Sequence, residues 1–122
     1  SVEINQRPVN LLADAPVVAW ATFSTLCEEP RSAADYVEMA REYHTVLIEQ
    51  IPLLDRDKED AARRFINLVD EFYDRNVKLI ATAAQLPETL YDGVRLRFEC
   101  DRTVSRLQEM RTQEYLKAEH RP

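Results

Sequence analysis

A single glycine, Gly93, occurs in the 122 residues of this chain. The common loops that wrap nucleotide phosphates, GxxxxGK(S/T) and GxGxxG, need several glycines. Their backbone N–H groups converge on the anion in conformations that side chains forbid. Neither loop can be built here, so we predict that the chain binds no nucleotide by itself and carries no complete catalytic site.

Composition is typical of one soluble globular domain, because 45% of the residues are hydrophobic and 31% are charged. The net charge of −6 argues against nucleic acid as a partner. No apolar run approaches the roughly 18 residues needed for a transmembrane segment, and residues 1–5 lack the pattern of a signal peptide. The sequence alone therefore favours a cytoplasmic protein.

The cysteines and histidines indicate no metal site. Cys27 and Cys100 have neither CxxC spacing nor a histidine within a ligand motif, and we predict that both are buried free thiols. His44 and His120 are far apart in sequence, and we expect a packed or capping role for His44 and a frayed tail around His120.

Apolar periodicity predicts alternating strands and helices. Residues 17–23 are apolar on both faces, as in a central strand. Ser32 and Asp35 form a capping box, and Asn76 is a plausible left-handed stop for the longest helix. The predicted elements are a hairpin over 1–13, strands over 17–23, 45–51, 77–83 and 96–100, helices over 32–43, from 55 or 57 to 76 and over 103–118, and a single turn over 87–91.

This order of elements calls for right-handed crossovers and parallel strands. We therefore predict an α/β fold in a single domain over 1–122. It would have a mainly parallel sheet with crossover helices, an N-terminal β-hairpin and a C-terminal strand plus helix.

Arginines are the strongest candidates for contacts with another protein. Arg63 and Arg64 lie in the longest predicted helix, and Arg102 and Arg106 lie four residues apart at the last one, so that pair would share a helix face. Guanidinium groups bind carboxylate or phosphate in a two-pronged geometry, and some complete the active site of another subunit. The alternative is that these arginines pair with local acids such as Glu99, Asp101 and Glu109.

Three segments carry a specific resemblance: residues 30–36, residues 62–74 and residues 98–110. The strings "RRFINLVDEFYDRNVKL" and "RTVSRLQEM" are long and unusual. In order and spacing the segments resemble the C-terminal region of the ZapE-like AAA-family ATPases, and the likeness runs from about Val2 to Tyr115.

The resemblance implies a parent P-loop ATPase, linked to cell division and peripheral to the inner membrane on its cytoplasmic side, which uses ATP and magnesium. The Walker motifs of that family lie upstream of the matched region. The chain would then be a C-terminal accessory domain, inactive alone. Its implied partners are its own ATPase core, a second copy in a homo-oligomer, and a cell-division protein. The alternative is a non-enzymatic adaptor that recruits division or client proteins.

A further hypothesis concerns residues 44–52 and 77–91, which echo the Walker B strand and the sensor strand of an AAA core. Glu49 and Gln50 would replace the expected Asp-Glu pair, and Ala84 would replace a polar sensor. Such a degenerate copy would lack the groups that hold magnesium and orient water.

Overall fold

The computed structural model describes the backbone of residues 2–4, 7–9 and 13–15, and both backbone and side chains of residues 18–122. The strands are β1 (Val2–Ile4), β2 (Arg7–Val9), β3 (Ala13–Ala15), β4 (Val18–Thr22), β5 (Thr45–Ile51), β6 (Leu54–Asp55), β7 (Lys78–Ala83) and β8 (Tyr91–Asp92). The helices are α1 (Ala33–Glu42), α2 (Glu59–Asp74), α3 (Pro87–Leu90), α4 (Arg97–Glu109) and α5 (Gln113–Lys117). A π-helical segment, Ser24–Glu28, follows β4.

The main sheet has the strand order β3-β4-β5-β7. Strand β3 is antiparallel to β4, whereas β4, β5 and β7 are parallel to one another. The predicted α/β class with a mainly parallel sheet and crossover helices is therefore confirmed. The N-terminal hairpin is confirmed too, since β1 and β2 pair antiparallel with Val2 opposite Val9. The turn was predicted over residues 5–8, but Arg7 and Pro8 belong to β2. Residues 5–6 of that turn and residues 10–12 of the returning strand lie outside the described residues.

Both crossover helices pack on one face of the sheet. Helix α1 joins β4 to β5 and helix α2 joins β5 to β7, so both connections move the same way across the sheet. Successive right-handed crossovers in one direction place their helices on the same side. The two helices contact each other, and they cover the strand side chains of Ala19, Ala21, Val46 and Ile48, which are buried.

Helix α2 supplies much of the core because its apolar residues recur at helical spacing. Its inward side lies against the sheet and α1, and α4 packs on it as well. Asn76 adopts φ of 55°, the left-handed conformation predicted for the end of this helix. The buried residues of α2 are Ala61, Ala62, Phe65, Ile66, Leu68, Val69 and Phe72.

The C-terminal strand predicted over 96–100 is wrong, because helix α4 begins at Arg97. Leu96, Phe98 and Cys100 alternate with polar residues, which suits a strand of period two. In the fold Leu96, Cys100 and Thr103 are buried at helical spacing while Phe98 faces solvent. The single helix predicted over 103–118 is also divided, since α4 ends at Glu109 and Thr112 caps α5 by accepting a hydrogen bond from the Tyr115 backbone N–H.

Helix α5 is fastened to the start of β7. The Tyr115 hydroxyl lies 2.6 Å from the carbonyl oxygen of Val77 and 3.0 Å from that of Phe72. The Lys78 ammonium donates to the carbonyl oxygens of Asn76, Tyr115 and Ala118, at 3.1, 3.2 and 2.7 Å. Burial lowers the pKa of Lys78 from its usual value. The first residue of β7 therefore holds the last helix in place.

Candidate docking surface

One face of the main sheet carries no helical layer within the described part of the chain. We call the face opposite α1 and α2 the outer face. Trp20 pairs in register with Leu47, and Leu47 pairs with Ile80, so these three side chains form an apolar row across β4, β5 and β7. Trp20 is 36% exposed and Ile80 57% exposed. Parallel sheets occur almost only with both faces covered, so this row is a candidate docking surface.

Strand β7 forms one edge of the sheet in the described part of the chain. The Lys78 backbone N–H donates to the His44 carbonyl oxygen, and the Ala84 N–H donates to the Ile51 carbonyl oxygen, each at 2.8 Å. Even-numbered residues of β7 thus direct their backbone groups toward β5. Since these groups alternate along a strand, Leu79, Ala81 and Ala83 present theirs to the open edge.

An apolar groove of about 280 Å³ lies beside this edge, on the helical side of the sheet. Its walls come from β7, the loop into α3, α3 itself, α2 and α4. Leu86 on its rim is largely exposed. The main lining residues are Ile51, Phe65, Leu79, Ala81, Ala83, Leu86, Leu90 and Leu107.

The carboxyl ends of the parallel strands bring together the residues of the AAA-copy hypothesis. Glu49 lies opposite Thr22 in the register. Gln50 adopts φ of 62°, at an irregularity in the pairing, and its N–H donates to the Thr82 hydroxyl at 3.0 Å. Ala84 follows the neighbouring strand β7. The two hypothesised motifs therefore lie on adjacent parallel strands, as a Walker B and sensor arrangement would require, and the hypothesis itself stays a prediction.

Four arginines predicted to act in docking or on another subunit all contact groups within this chain. Arg102 and Arg106 share a helix face, as their spacing predicted, and both reach Asp70 on α2. The Arg102–Asp70 distance is 3.6 Å, and the Arg106 guanidinium also lies 5.1 Å from the centre of the Tyr73 ring. Sequence reasoning named other acids and missed Asp70, because the pair joins two helices and no local pattern signals it.

The remaining two arginines differ in accessibility. Arg63 is half-exposed and lies 3.5 Å from Glu99, one of the acids named as an alternative partner. Arg64 donates to the Cys27 carbonyl oxygen at 3.1 Å, so it anchors the π-helical segment to α2. Arg31 holds the same segment through the Thr25 carbonyl oxygen at 3.1 Å. Arg63 and Arg102 are thus the two with about half of their side chains open to a partner.

Cys27 and Cys100 are free and buried, as predicted. Burial raises the pKa of the Cys27 thiol to about 12, against which the hydrogen bond with Tyr36 has a smaller, lowering effect. The Tyr36 hydroxyl donates to the Leu26 carbonyl oxygen at 2.7 Å. A thiol that stays protonated at neutral pH is a poor nucleophile, so Cys27 belongs to the core.

The histidines, which sequence reasoning treated as separate, contact each other. Their ring centres are 4.4 Å apart, and His120 Nε2 is hydrogen-bonded to the Ala40 carbonyl oxygen. The C-terminal residues therefore return to the end of α1, a long-range contact that no local motif predicts.

Over the described residues, no group of three or more His, Cys, Asp or Glu is arranged to hold a metal ion. Among the described helices none is long and apolar enough to cross a bilayer.

Comparison with known proteins gives a consistent result. A family model described as AFG1-like ATPase matches residues 1–119. Two proteins named cell division protein ZapE, from Escherichia coli strains K12 and O157:H7, are each 46% identical over 120 residues, covering 98% of this chain and 32% of their own length. Lactation elevated protein 1 homolog B of Danio rerio is 32% identical over 93% of this chain and 29% of its own.

The chain thus spans about a third of the length of these curated relatives. No solved structure matches it significantly.

Proposed function

We propose that this chain, which belongs to the AFG1-like ATPase family, is the C-terminal accessory domain of a ZapE-like ATPase involved in cell division. In this proposal the domain docks on the ATPase core, or on a neighbouring subunit, through the outer face of its sheet. ATP and magnesium would be bound by the rest of the parent protein, because this chain contains no Walker A motif. The chain alone would then not hydrolyse ATP.

The observation that carries the proposal is the apolar row Trp20, Leu47 and Ile80 on a face of the sheet that none of the described helices covers. Fully burying one large apolar side chain is worth roughly 1.5–3 kcal/mol relative to leaving it exposed. Because all three side chains are already partly buried, covering the row would contribute a fraction of this increment at each position. The matching relatives extend well beyond the aligned region, and this additional polypeptide is a natural source of the covering layer.

Cellular context enters the proposal through the relatives. The two ZapE proteins are named for cell division, so we place the parent in the cytoplasm, peripheral to the inner membrane at the division site. Its partners would include its own core, further copies of itself and a cell-division protein. Of the four arginines, Arg63 and Arg102 are the best placed to meet an acidic group of such a partner, since about half of each side chain is exposed.

The docking proposal can be tested with Ile80→Glu in the full-length protein. A carboxylate in the middle of the apolar row would have to be desolvated on docking, which is costly. We expect greater protease sensitivity between this domain and the core, together with lower ATP turnover. Val94→Glu, a change of the same kind at an exposed residue ahead of α4, serves as the control. Equal proteolysis and equal turnover in both variants would refute docking through the outer face.

A second candidate, a partner-binding adaptor, is favoured by Phe98. This side chain is 80% exposed at the start of α4, four residues after exposed Val94, and exposed aromatic residues of this kind can anchor an interface. Phe98→Ala in the full-length protein would reduce co-purification of a division protein while leaving ATP turnover unchanged. Loss of turnover in Phe98→Ala would instead assign this residue to the contact with the core.

A further inference from the structure

We infer that the open edge of β7 accepts an extended strand from the remaining part of the full-length polypeptide, which continues the main sheet beyond this chain. The inference rests on the proposed function, and it names the element of the core that would make the contact. It concerns the edge of the sheet, whereas the docking proposal concerns its outer face.

Among the residues that the structure describes, nothing gives strand β7 the usual protections of a free edge. Natural sheets blunt their edges with charges, proline, bulges or a covering loop. The six residues Lys78–Ala83 contain no proline and one charge, the Lys78 ammonium, which is engaged by three carbonyl oxygens. The irregularity in pairing lies between Ile48 and Ile51 of β5. An unprotected, largely apolar edge promotes aggregation of a domain that stands alone. In a domain that has a partner, the same edge can pair with a strand of that partner.

The backbone of β7 offers a regular set of partners for a new strand. Leu79, Ala81 and Ala83 direct their N–H and C=O groups away from β5, by the alternation that the Lys78 and Ala84 hydrogen bonds establish. These residues supply three donors and three acceptors at every second position. Strand addition of this kind takes its affinity from main-chain hydrogen bonds and its specificity from alternate side-chain pockets.

The surfaces on either side of the edge predict the side chains of the added strand. On the helical side, alternate residues would enter the groove between Leu79, Phe65 and Leu107. On the outer face, the intervening residues would extend the row that now ends at Ile80. The groove is apolar, whereas on the outer face Ile80 is flanked by Lys78 and Thr82, so the incoming segment should be hydrophobic toward the groove and at the position beside Ile80.

Two observations favour a segment of the same polypeptide over a second copy of this chain. The ZapE relatives contain about twice as much sequence outside the matched region as within it, and a tethered segment is present at an effective concentration of the order of millimolar. A second copy would carry another net charge of −6, and the long-range repulsion between two such chains makes pairing between copies weaker than pairing with a tethered segment.

Hydrogen–deuterium exchange on the full-length protein, resolved to single amides, tests the inference. We expect the amides of Leu79, Ala81 and Ala83 to exchange at least about 100-fold more slowly than unstructured amides, in step with those of β5. Ala81→Pro removes one of the donors while leaving the pairing with β5 in place, since its N–H points to the open edge. This variant should lose the protection at Leu79 and Ala83, whereas Ala81→Ser, which keeps the N–H, should retain it.

The outcomes separate this inference from the docking proposal. Retained protection of the β4 and β5 amides shows that Ala81→Pro is folded. Rapid exchange at the three edge amides, combined with a solvent-shielded Trp20, would overturn the added strand and leave docking intact. Rapid exchange with an exposed Trp20 would overturn both. Protection that depends on protein concentration, together with a dimeric native mass, would identify a second copy and overturn the tethered segment.

Discussion

Gly93 is required for close packing rather than for unusual backbone geometry. Its φ is not positive, and a Cβ atom there would lie 1.9 Å from Glu59 Oε1 and 2.5 Å from the Tyr91 hydroxyl. The Glu59 carboxylate accepts hydrogen bonds from the Tyr91 hydroxyl at 2.9 Å and from the Val94 N–H at 3.2 Å. Glu59 thus joins the start of α2 to the segment that leads into α4.

We predict that Gly93→Ala lowers the free energy of unfolding by about 1–3 kcal/mol, the usual cost of forcing an extra methyl group into a packed site. The Glu59 side chain can move, but the buried Tyr91 ring cannot yield without disturbing the core. Urea denaturation measures the effect. Glu59→Ala provides the comparison, because the two changes should be less than additive if the carboxylate is the group displaced.

Cys27 should make the stability of the chain depend on alkaline pH. Burial raises the pKa of its thiol from 9.0 to about 12. A raised pKa in the folded state means that the stabilisation is complete below pH 9 and is lost as the pH rises from there toward 12. The free energy of unfolding should therefore fall more steeply above pH 9 in the wild-type chain than in Cys27→Ala. Parallel slopes from urea titrations at pH 8, 9 and 10 would contradict this assignment.

At the scale of single residues, the sequence predicted the burial of the cysteines, but it did not predict which side chains contact each other. The buried free thiols of Cys27 and Cys100 were predicted from the absence of a ligand motif and from the usual behaviour of cysteines without one. The Arg64 contact with the Cys27 carbonyl oxygen and the His44–His120 contact span 37 residues or more along the chain. Such contacts depend on how elements pack, and no local pattern encodes them.

The contact between α2 and α4 depends on one shared acid, Asp70, which both Arg102 and Arg106 reach. All three side chains are partly exposed, so solvent screening limits the value of each pair. The Tyr73 ring beneath the Arg106 guanidinium adds to the same site. This cluster accounts for the contacts that Arg102 and Arg106, on one face of α4, make within the chain.

We predict that Asp70→Asn lowers the free energy of unfolding by about 1 kcal/mol at low salt and by less at high salt, because the pairs are near the surface. Asp74→Asn, at an exposed position on the same helix, is the matched control and should have little effect. Urea denaturation at two salt concentrations measures both variants. Identical losses for Asp70 and Asp74 would show that general charge, and not this cluster, sets the stability.

At the scale of elements, periodicity located most helices and strands of the described region, including β5 with its limits at Thr45 and Ile51. It failed at residues 96–100, where three apolar positions satisfy a period of two and two of them also satisfy a helical period. A helix buries both Leu96 and Cys100 against the rest of the fold, and this burial favours the helix over the strand. The sequence also predicted β7 as a strand, but its place at the edge depends on strand order.

At the scale of the whole molecule, the described helices cover one side of the main sheet and leave the other side without a helical layer. Helices cover the inner face, whereas Trp20, Leu47 and Ile80 remain accessible on the outer face and β7 ends the sheet. The composition does not predict this difference between the two faces, because the apolar fraction is that of an ordinary globular domain. Only the shared direction of the two crossovers, read from the strand order, reveals it.

We predict that the 122-residue chain self-associates reversibly when it is studied on its own. Exposed contiguous apolar surface of this kind commonly leads to association, and the unprotected edge adds to it. Sedimentation at increasing concentration should show a rising average mass. The double variant Trp20→Lys and Ile80→Lys should remain monomeric to higher concentration. An equal mass for both proteins over the whole range would rule out the outer face as the cause.

The hydrogen bonds of Lys78 also make strand β7 depend on the presence of helix α5. Its ammonium group ties the carbonyl oxygens of Tyr115 and Ala118 to the first residue of the edge strand. Truncation before α5 would remove two of the three carbonyl oxygens to which Lys78 donates. The ammonium group, which is already partly desolvated by burial, would then lack those partners. Removing α5, although this helix is distant in sequence from β7, would therefore loosen the strand to which the rest of the protein is proposed to attach.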